Sequence, residues 1–246
     1  MQPIRRQRSG FGPRERPRKS QEISDDITIR GTRNLSATAA KEAPSRRTAS
    51  KEARRLQLIR ATIRSIAKHG LSDTTVATVA GEAQLSQGIV NLHFQSKERL
   101  LIETLQYVTD EYRDTWEKAI ANAGPSNAER LAALLAVDYN RSVFDREKIA
   151  VWFAYWSETR SRPTYRKLCA ERDLGYDTTL KELVAALIEE GGYRSLDPDI
   201  IANGLAAMAE GLWLDLLVNP REMSRDRALK ISQAYLACLF PRHFTA

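Results

Sequence analysis

The chain has 246 residues, 42% of them hydrophobic and 28% charged, and a net charge of +7. This length accommodates one small domain and one larger domain with a core of its own. Because no run of eighteen or more apolar residues occurs and no apolar segment follows the N-terminus, the sequence predicts no membrane span and no secretory signal, and it indicates a cytoplasmic protein.

The basic charge is concentrated toward the N-terminus. Residues 1–50 contain 12 Lys and Arg against 5 Asp and Glu, are rich in Ser, Pro and Thr, and lack apolar periodicity. We expect this extension to be disordered. It is either a basic arm that attracts DNA phosphates or a solvated tail, including one that arises from a start codon assigned too far upstream.

Helical periodicity begins after the extension. Leu56, Ile59, Ile63 and Ile66 lie three or four residues apart and predict an amphipathic helix, which Gly70 ends. The later segments are also helical in pattern, and none shows sustained strand alternation. The sequence therefore predicts an all-α fold of about nine helices.

The segment from Thr75 to Phe94 predicts two short helices joined by a tight turn. Thr75 is placed to cap the first helix and Ser86 the second. The second helix carries small or hydrogen-bonding residues away from its apolar stripe: Gln87, Gly88, Asn91 and His93. Such residues suit a helix that lies in the major groove of DNA, although an ordinary pair of packed helices is the alternative.

Another helix is predicted to follow immediately. Ser96 is a cap candidate, and Lys97 places a cation in the first turn, where the helix dipole disfavours it. A DNA phosphate at that helix terminus explains the lysine, and a solvated surface side chain is the alternative.

The remaining helices are predicted from the residues that mark their ends. The fourth helix ends at Gly124-Pro125, and the next five cover approximately residues 127–142, 146–159, 163–190, 197–218 and 224–240. Cys169 and Cys238 lie in this part without metal-ligand spacing, so we expect two buried, reduced thiols and no metal or cofactor.

Aromatic residues are concentrated in the second domain. Trp152, Tyr155 and Trp156 share one face of the sixth helix, Tyr139 precedes them, and Trp213 follows on the eighth helix. They are either core residues or an aromatic cage for a quaternary ammonium, which binds over π-faces. The carboxylates that would offset the buried cation are Asp138, Glu158, Glu210 and Asp215.

The segment TTVATVAGEAQLSQGIVNLHFQSKERLL resembles the DNA-binding module of TetR-family repressors. The matching positions include Thr75, Ser86, Gly88, His93 and Lys97. Two residues depart from the family pattern: Gln84 replaces the usual turn glycine, so that the turn must form without glycine's easy positive φ, and Asn91 replaces a phosphate-contacting tyrosine.

A narrower resemblance covers the second domain. VWFAYWSE at 151–158 and GLAAMAEGLWLDLLV at 204–218 are similar to segments of choline-responsive repressors of glycine betaine synthesis, a TetR subgroup. After the extension (1–50), which lies outside the resemblance, it implies a helix-turn-helix domain (51–96) and an effector-binding and dimerisation domain (97–246). It also implies a four-helix dimer interface formed by the last two helices, with a palindromic operator in double-stranded DNA.

The resemblance thus indicates a homodimeric repressor that choline or another quaternary ammonium releases from its operator. One alternative is a repressor of an efflux or catabolic operon with a different, uncharged effector. An enzyme is disfavoured, because the three His residues are far apart and no phosphate-binding glycine loop or nucleophile motif occurs.

Overall fold

The computed structural model describes residues 46–245, with side chains for residues 50–170 and 174–245. The predicted disorder of the N-terminal extension therefore lies almost wholly outside the described residues. The first helix already begins at Arg46, which is inside the predicted extension.

The described residues form nine α-helices and no strand, which confirms the predicted all-α fold. The helices are α1 (Arg46–Asp73), α2 (Val76–Ala83), α3 (Gln87–Phe94), α4 (Lys97–Ala121), α5 (Asn127–Val137), α6 (Arg146–Glu158), α7 (Pro163–Gly191), α8 (Pro198–Val218) and α9 (Arg225–Leu239). Helices α1 to α4 pack together, and α4 continues into the second group, where it packs on α5 and α7.

Side-chain caps set most of the helix starts. Ser96, Asp145, Asp197 and Ser224 each accept a hydrogen bond from a backbone N–H in the first turn of α4, α6, α8 and α9, respectively. Ser126 and Glu129 form a reciprocal capping box at α5. Ser96 therefore caps α4, as predicted.

The ends of α1 and α5 differ in how well the sequence predicts them. Gly70 has φ 79° and interrupts helical geometry near the end of α1, as expected for a glycine stop. Helix α5 ends at Val137, not near Ser142 as predicted. The indole N–H of Trp213 donates to the carbonyl of Asp138 at 2.9 Å, so this carbonyl serves a tertiary contact beyond the helix end.

Helix α8 is apolar over most of its surface. By length and composition alone it is able to cross a membrane, with a mean hydropathy of 1.4 over an 18-residue window, although only 28% of that window is buried. In the fold it packs against α6, α7 and α9. Its Leu214 and Val218 remain exposed, so this chain alone leaves an apolar face of α8 uncovered.

The two cysteines lie in different environments. Cys169 on α7 is buried, whereas Cys238 on α9 is exposed. The prediction of two buried thiols is therefore wrong for Cys238, because the buried face of α9 is formed by Ala228, Ser232 and Leu236.

Candidate DNA-reading helices and effector cavity

Helix α2 begins with a complete capping box. The Thr75 hydroxyl accepts from the Thr78 N–H at 3.1 Å, and the Thr78 hydroxyl accepts from the Thr75 N–H at 2.9 Å. The Ser65 hydroxyl on α1 lies 2.9 Å from the same Thr78 oxygen. Thr75 therefore holds the N-terminus of α2 in place, and Thr78 links it to α1.

The turn between α2 and α3 contains a strained non-glycine residue. Gln84 adopts φ 55° and ψ 44°, the left-handed conformation that glycine adopts most easily. The Leu85 N–H then donates to the Ala80 carbonyl at 2.9 Å. The turn therefore forms without glycine, and Gln84 itself adopts the positive φ.

Helix α3 divides into a buried face and an exposed face. Val90 and Phe94 are buried in the core, and His93 is half-buried. Gln87, Gly88, Asn91 and Leu92 are exposed. Three of the predicted DNA contacts, at 87, 88 and 91, thus share the free face of the second helix.

The predicted cap at Ser86 is not formed, whereas Lys97 makes a specific local contact. Ser86 occupies the N-cap position of α3, but its side chain makes no capping hydrogen bond. The ammonium of Lys97 donates to the Ser72 carbonyl at 3.1 Å. Lys97 therefore links α4 to the end of α1, and a phosphate contact would have to share or replace this bond.

Side chains of α1 satisfy the C-terminal carbonyls of both short helices. Gln57 donates to the Ala83 carbonyl at 2.9 Å, and Arg64 donates to the Glu82 carbonyl at 2.9 Å. Arg55 donates to the His93 carbonyl at 3.4 Å. These carbonyls have no partner within their own helices, so α1 fixes the orientation of α2 and α3.

Arg55 also forms a buried ion pair. Its guanidinium pairs with Glu103 on α4, which is only 8% exposed, and lies 4.8 Å from the centre of the Phe94 ring. Arg99 pairs with the same carboxylate at 2.7 Å. The helical periodicity of α1 does not reveal this structural use of Arg55, because the ion pair depends on α4 lying beside α1.

The second candidate site is a cavity of about 220 Å³ in the second helical domain. Its described lining combines aromatic rings and carboxylates: Tyr112, Asp138, Tyr176, Asp177, Asn203, Ala206, Ala207, Ala209, Glu210 and Trp213. These residues come from α4, α7 and α8 and from the segment that follows α5.

Asp138 is the buried polar centre of this cavity, with 2% exposure. The Tyr112 and Tyr176 hydroxyls each donate to one of its carboxylate oxygens at 2.7 Å. Burial, followed by the adjacent Asp138 charge, raises the pKa of Tyr176 well above its ordinary value. The Tyr176 hydroxyl therefore stays protonated and remains a donor.

The rings around Asp138 form a continuous aromatic wall. Tyr112 lies edge-on to Trp213 with ring centres 6.2 Å apart, and it contacts Tyr176 at 5.7 Å. Trp156 stacks parallel to Trp213 at 6.3 Å, and Trp152 packs on Trp156 at 6.2 Å. Only Trp213 of the predicted cage residues lines the cavity, while Trp152 and Trp156 continue the aromatic stack.

The structure places the two predicted tyrosines elsewhere. The Tyr139 hydroxyl is 2.5 Å from Ser232 on α9, and its ring packs on Phe144. The Tyr155 hydroxyl donates to the Leu101 carbonyl on α4 at 2.6 Å, and its ring lies edge-on to Tyr165. Neither residue is among those that line the cavity.

Two of the four candidate carboxylates line the cavity, and two lie elsewhere. Asp138 and Glu210 line the cavity. Glu158 pairs with Arg162, and Asp215 accepts a hydrogen bond from Asn219 near the end of α8. Among the side chains that the structure describes, no group of three or more His, Cys, Asp or Glu is placed to hold a metal ion.

Sequence reasoning missed Tyr112 and Tyr176 as candidate ligand residues. Tyr112 lies on α4, which continues into the second helical domain, where its ring contacts Tyr176 on α7 and Trp213 on α8. The available signal was the spacing of Tyr112 and Trp116, four residues apart on one helix face.

Comparisons with known proteins cover both parts of the chain. Residues 58–104 match the family described as bacterial regulatory proteins, tetR family, and residues 127–241 match the BetI-type transcriptional repressor C-terminal family. The HTH-type transcriptional regulator BetI of Burkholderia thailandensis is 34% identical over 194 residues, which cover 77% of this chain and 94% of that protein. The BetI of Burkholderia mallei is 33% identical over 189 residues, covering 76% of this chain and 93% of that protein.

Solved structures show the same fold. A transcriptional regulator from Pseudomonas aeruginosa PAO1 superposes with a TM-score of 0.67 at 27% identity, covering 79% of this chain and 95% of that chain. A regulator from Saccharomonospora viridis, crystallised in complex with choline, superposes with a TM-score of 0.66 at 24% identity, covering 75% and 95%. The likeness extends over the helix-turn-helix and the helical domain together.

Proposed function

Because this chain belongs to the TetR family of transcriptional regulators and has a BetI-type C-terminal domain, we propose that it is a repressor released from its operator by a small quaternary ammonium. Its family and its relatives are regulators, not enzymes. The observation that carries the proposal is the buried Asp138 carboxylate beside the rings of Tyr112, Tyr176 and Trp213.

The chemistry of the cavity supports a compact cation. A quaternary ammonium donates no ordinary hydrogen bond and binds over π-faces, at roughly 0.5–2 kcal/mol for a well-placed ring. A buried carboxylate offsets its charge. The cavity, at about 220 Å³, is smaller than the roughly 300–1,000 Å³ typical of drug-sized ligands, which disfavours a bulky hydrophobic effector.

The proposed DNA contacts lie on α2, α3 and α4. They are Thr75, Ser86, Gln87, Gly88, Asn91, His93 and Lys97. The exposed face of α3 supports them, because the second helix of a helix-turn-helix enters the major groove.

The exposed apolar surface supports a homodimer. Leu214, Val218 and Tyr235 are 47%, 66% and 57% exposed on α8 and α9, which pack against each other. A symmetric partner that covers this face would place the two helix-turn-helix domains of the dimer at a fixed separation on a palindromic DNA site. A ligand that binds better when these two domains lie at another separation must weaken DNA binding. A coupling free energy of roughly 1–3 kcal/mol between the two binding events corresponds to a loss of about 5–150-fold.

Calorimetry with choline, betaine aldehyde and an uncharged aromatic compound tests the effector. We expect choline to bind the wild type and Asp138→Asn to weaken it by about tenfold or more, because the neutral amide no longer offsets the cation. Asparagine is nearly isosteric, and circular dichroism checks that the variant folds.

Glu158→Gln is the matched control, since it removes a carboxylate that pairs with Arg162 outside the cavity. Equal choline affinity in the wild type and Asp138→Asn would contradict the proposed cage. Binding of the uncharged compound, with no response to choline, would favour the alternative of a different effector.

A further inference from the structure

Leu92 is the most exposed large hydrophobic side chain in the described part of the chain. It is 75% exposed on α3, whereas its neighbours Val90 and Phe94 are buried. Exposing a leucine leaves its apolar surface in water without any contribution to the core. Nothing in the packing of α1, α2 or α4 requires an apolar residue at this position.

The surroundings of Leu92 form a face with open space. Gly88 and Asn91 lie four and one residues before it and are also exposed, so the three share one side of the helix. A Cβ built on Gly88 would meet only the Ser86 hydroxyl, at 3.8 Å. Glycine destabilises a helix interior relative to alanine, so its presence without internal crowding favours close approach by an external partner.

We infer that Leu92 reads thymine, by packing its side chain against the C5-methyl group in the major groove. This inference rests on the proposed role of α3 as the DNA-reading helix. Of the features that base pairs present in the major groove, the thymine methyl is the apolar one. Gln87 and Asn91 on the same helix supply hydrogen-bonding groups. Leu92 has none, so it distinguishes thymine from the other bases through the thymine methyl group.

The test uses duplexes selected by the full-length chain from a random-sequence pool. Each thymine of the selected site is replaced in turn by deoxyuridine, which removes the methyl and leaves the hydrogen-bonding edge unchanged. Affinity is measured for the wild type, for Leu92→Ala, and for Leu174→Ala, a control that truncates an exposed leucine on α7.

We expect at least one replacement to weaken wild-type binding by about threefold to fourfold, the fold-change for one buried CH₂ group. Leu92→Ala should bind the thymine and uracil duplexes equally at that position, while Leu174→Ala should behave as the wild type does.

Two results would overturn the inference. In one, no uracil replacement changes wild-type affinity; in the other, Leu92→Ala retains the full methyl dependence. In either case the chain still selects a duplex, so the DNA-reading role of α3 stands. A chain that selects no duplex would overturn that role as well.

Discussion

Asp138 joins three helices through two kinds of contact. Its carboxylate accepts from tyrosines on α4 and α7, while its backbone carbonyl accepts from Trp213 on α8. The residue immediately follows α5, so its position depends on where that helix ends. A ligand that changes the hydrogen bonds of this carboxylate therefore acts on α4 directly, through Tyr112.

His93 gives a prediction about pH. Desolvation, followed by the charges of Lys51, Arg55 and Arg54, lowers its pKa below the ordinary value. Its protonation thus favours the unfolded chain, and its contribution to stability is complete above about pH 6.5 and declines as pH falls. We expect the wild-type Tm to fall more than that of His93→Gln between about pH 7 and pH 5, measured by circular dichroism.

The control for this experiment is His69→Gln, since His69 is exposed at the end of α1. It should follow the wild-type profile. If the His93→Gln and wild-type curves are parallel over the whole range, His93 makes no pH-dependent contribution to stability.

At the level of helices, local sequence predicts starts better than ends. Serine and aspartate caps mark the beginnings of α4, α6, α8 and α9, because the capping bond is made within one turn. The end of α5 was misplaced, because the Asp138 carbonyl bonds to a tryptophan 75 residues later. No local pattern reveals such a contact.

The residues that line the cavity were also harder to predict than the positions of the helices. The sequence indicated an aromatic domain, and Trp213 and Asp138 do line the cavity. Tyr112 and Tyr176 were missed, and Tyr155 points to α4, because the direction of a ring depends on how helices rotate against one another. Helical spacing gives the face of a helix but not its neighbour.

The α2–α3 turn gives a prediction about stability. Gln84 has φ 55°, where a Cβ costs roughly 1–2 kcal/mol, while glycine adds about 0.5–1 kcal/mol of unfolded-state entropy. We expect Gln84→Gly to increase the free energy of unfolding by about 0.5–1 kcal/mol, measured by urea denaturation. Gln84→Ala retains the Cβ and should give no such gain. A loss of stability in Gln84→Gly would show that the glutamine side chain stabilises the turn.

At the scale of the whole molecule, the uncovered face of α8 and α9 predicts a dimer. Replacing Leu214 and Tyr235 together with Glu should yield a monomer, because four charges would be buried across a two-fold interface. Sedimentation equilibrium measures the change. Leu174→Glu is the control, because it adds charge to an exposed leucine on α7. A wild-type chain that sediments as a monomer contradicts the prediction.

We expect coupling between the two domains to depend on the hydrogen bond that Tyr155 of α6 makes with α4. Helix α6 carries Trp156, which stacks on the cavity residue Trp213, and also Tyr155, whose hydroxyl donates to Leu101 one turn after Lys97. Tyr155→Phe removes this bond and leaves the ring in place. We expect the affinities for choline and for the operator, each measured alone, to change by no more than about twofold. The release of DNA by choline should weaken several-fold, since the coupling energy is separate from either binding energy.

Tyr139→Phe is the matched control, because its hydroxyl bonds to α9 and not to α4. Fluorescence anisotropy of labelled operator with increasing choline measures the release. Unchanged release in Tyr155→Phe would contradict this role of Tyr155 and would favour a route from Asp138 to α4 through Tyr112.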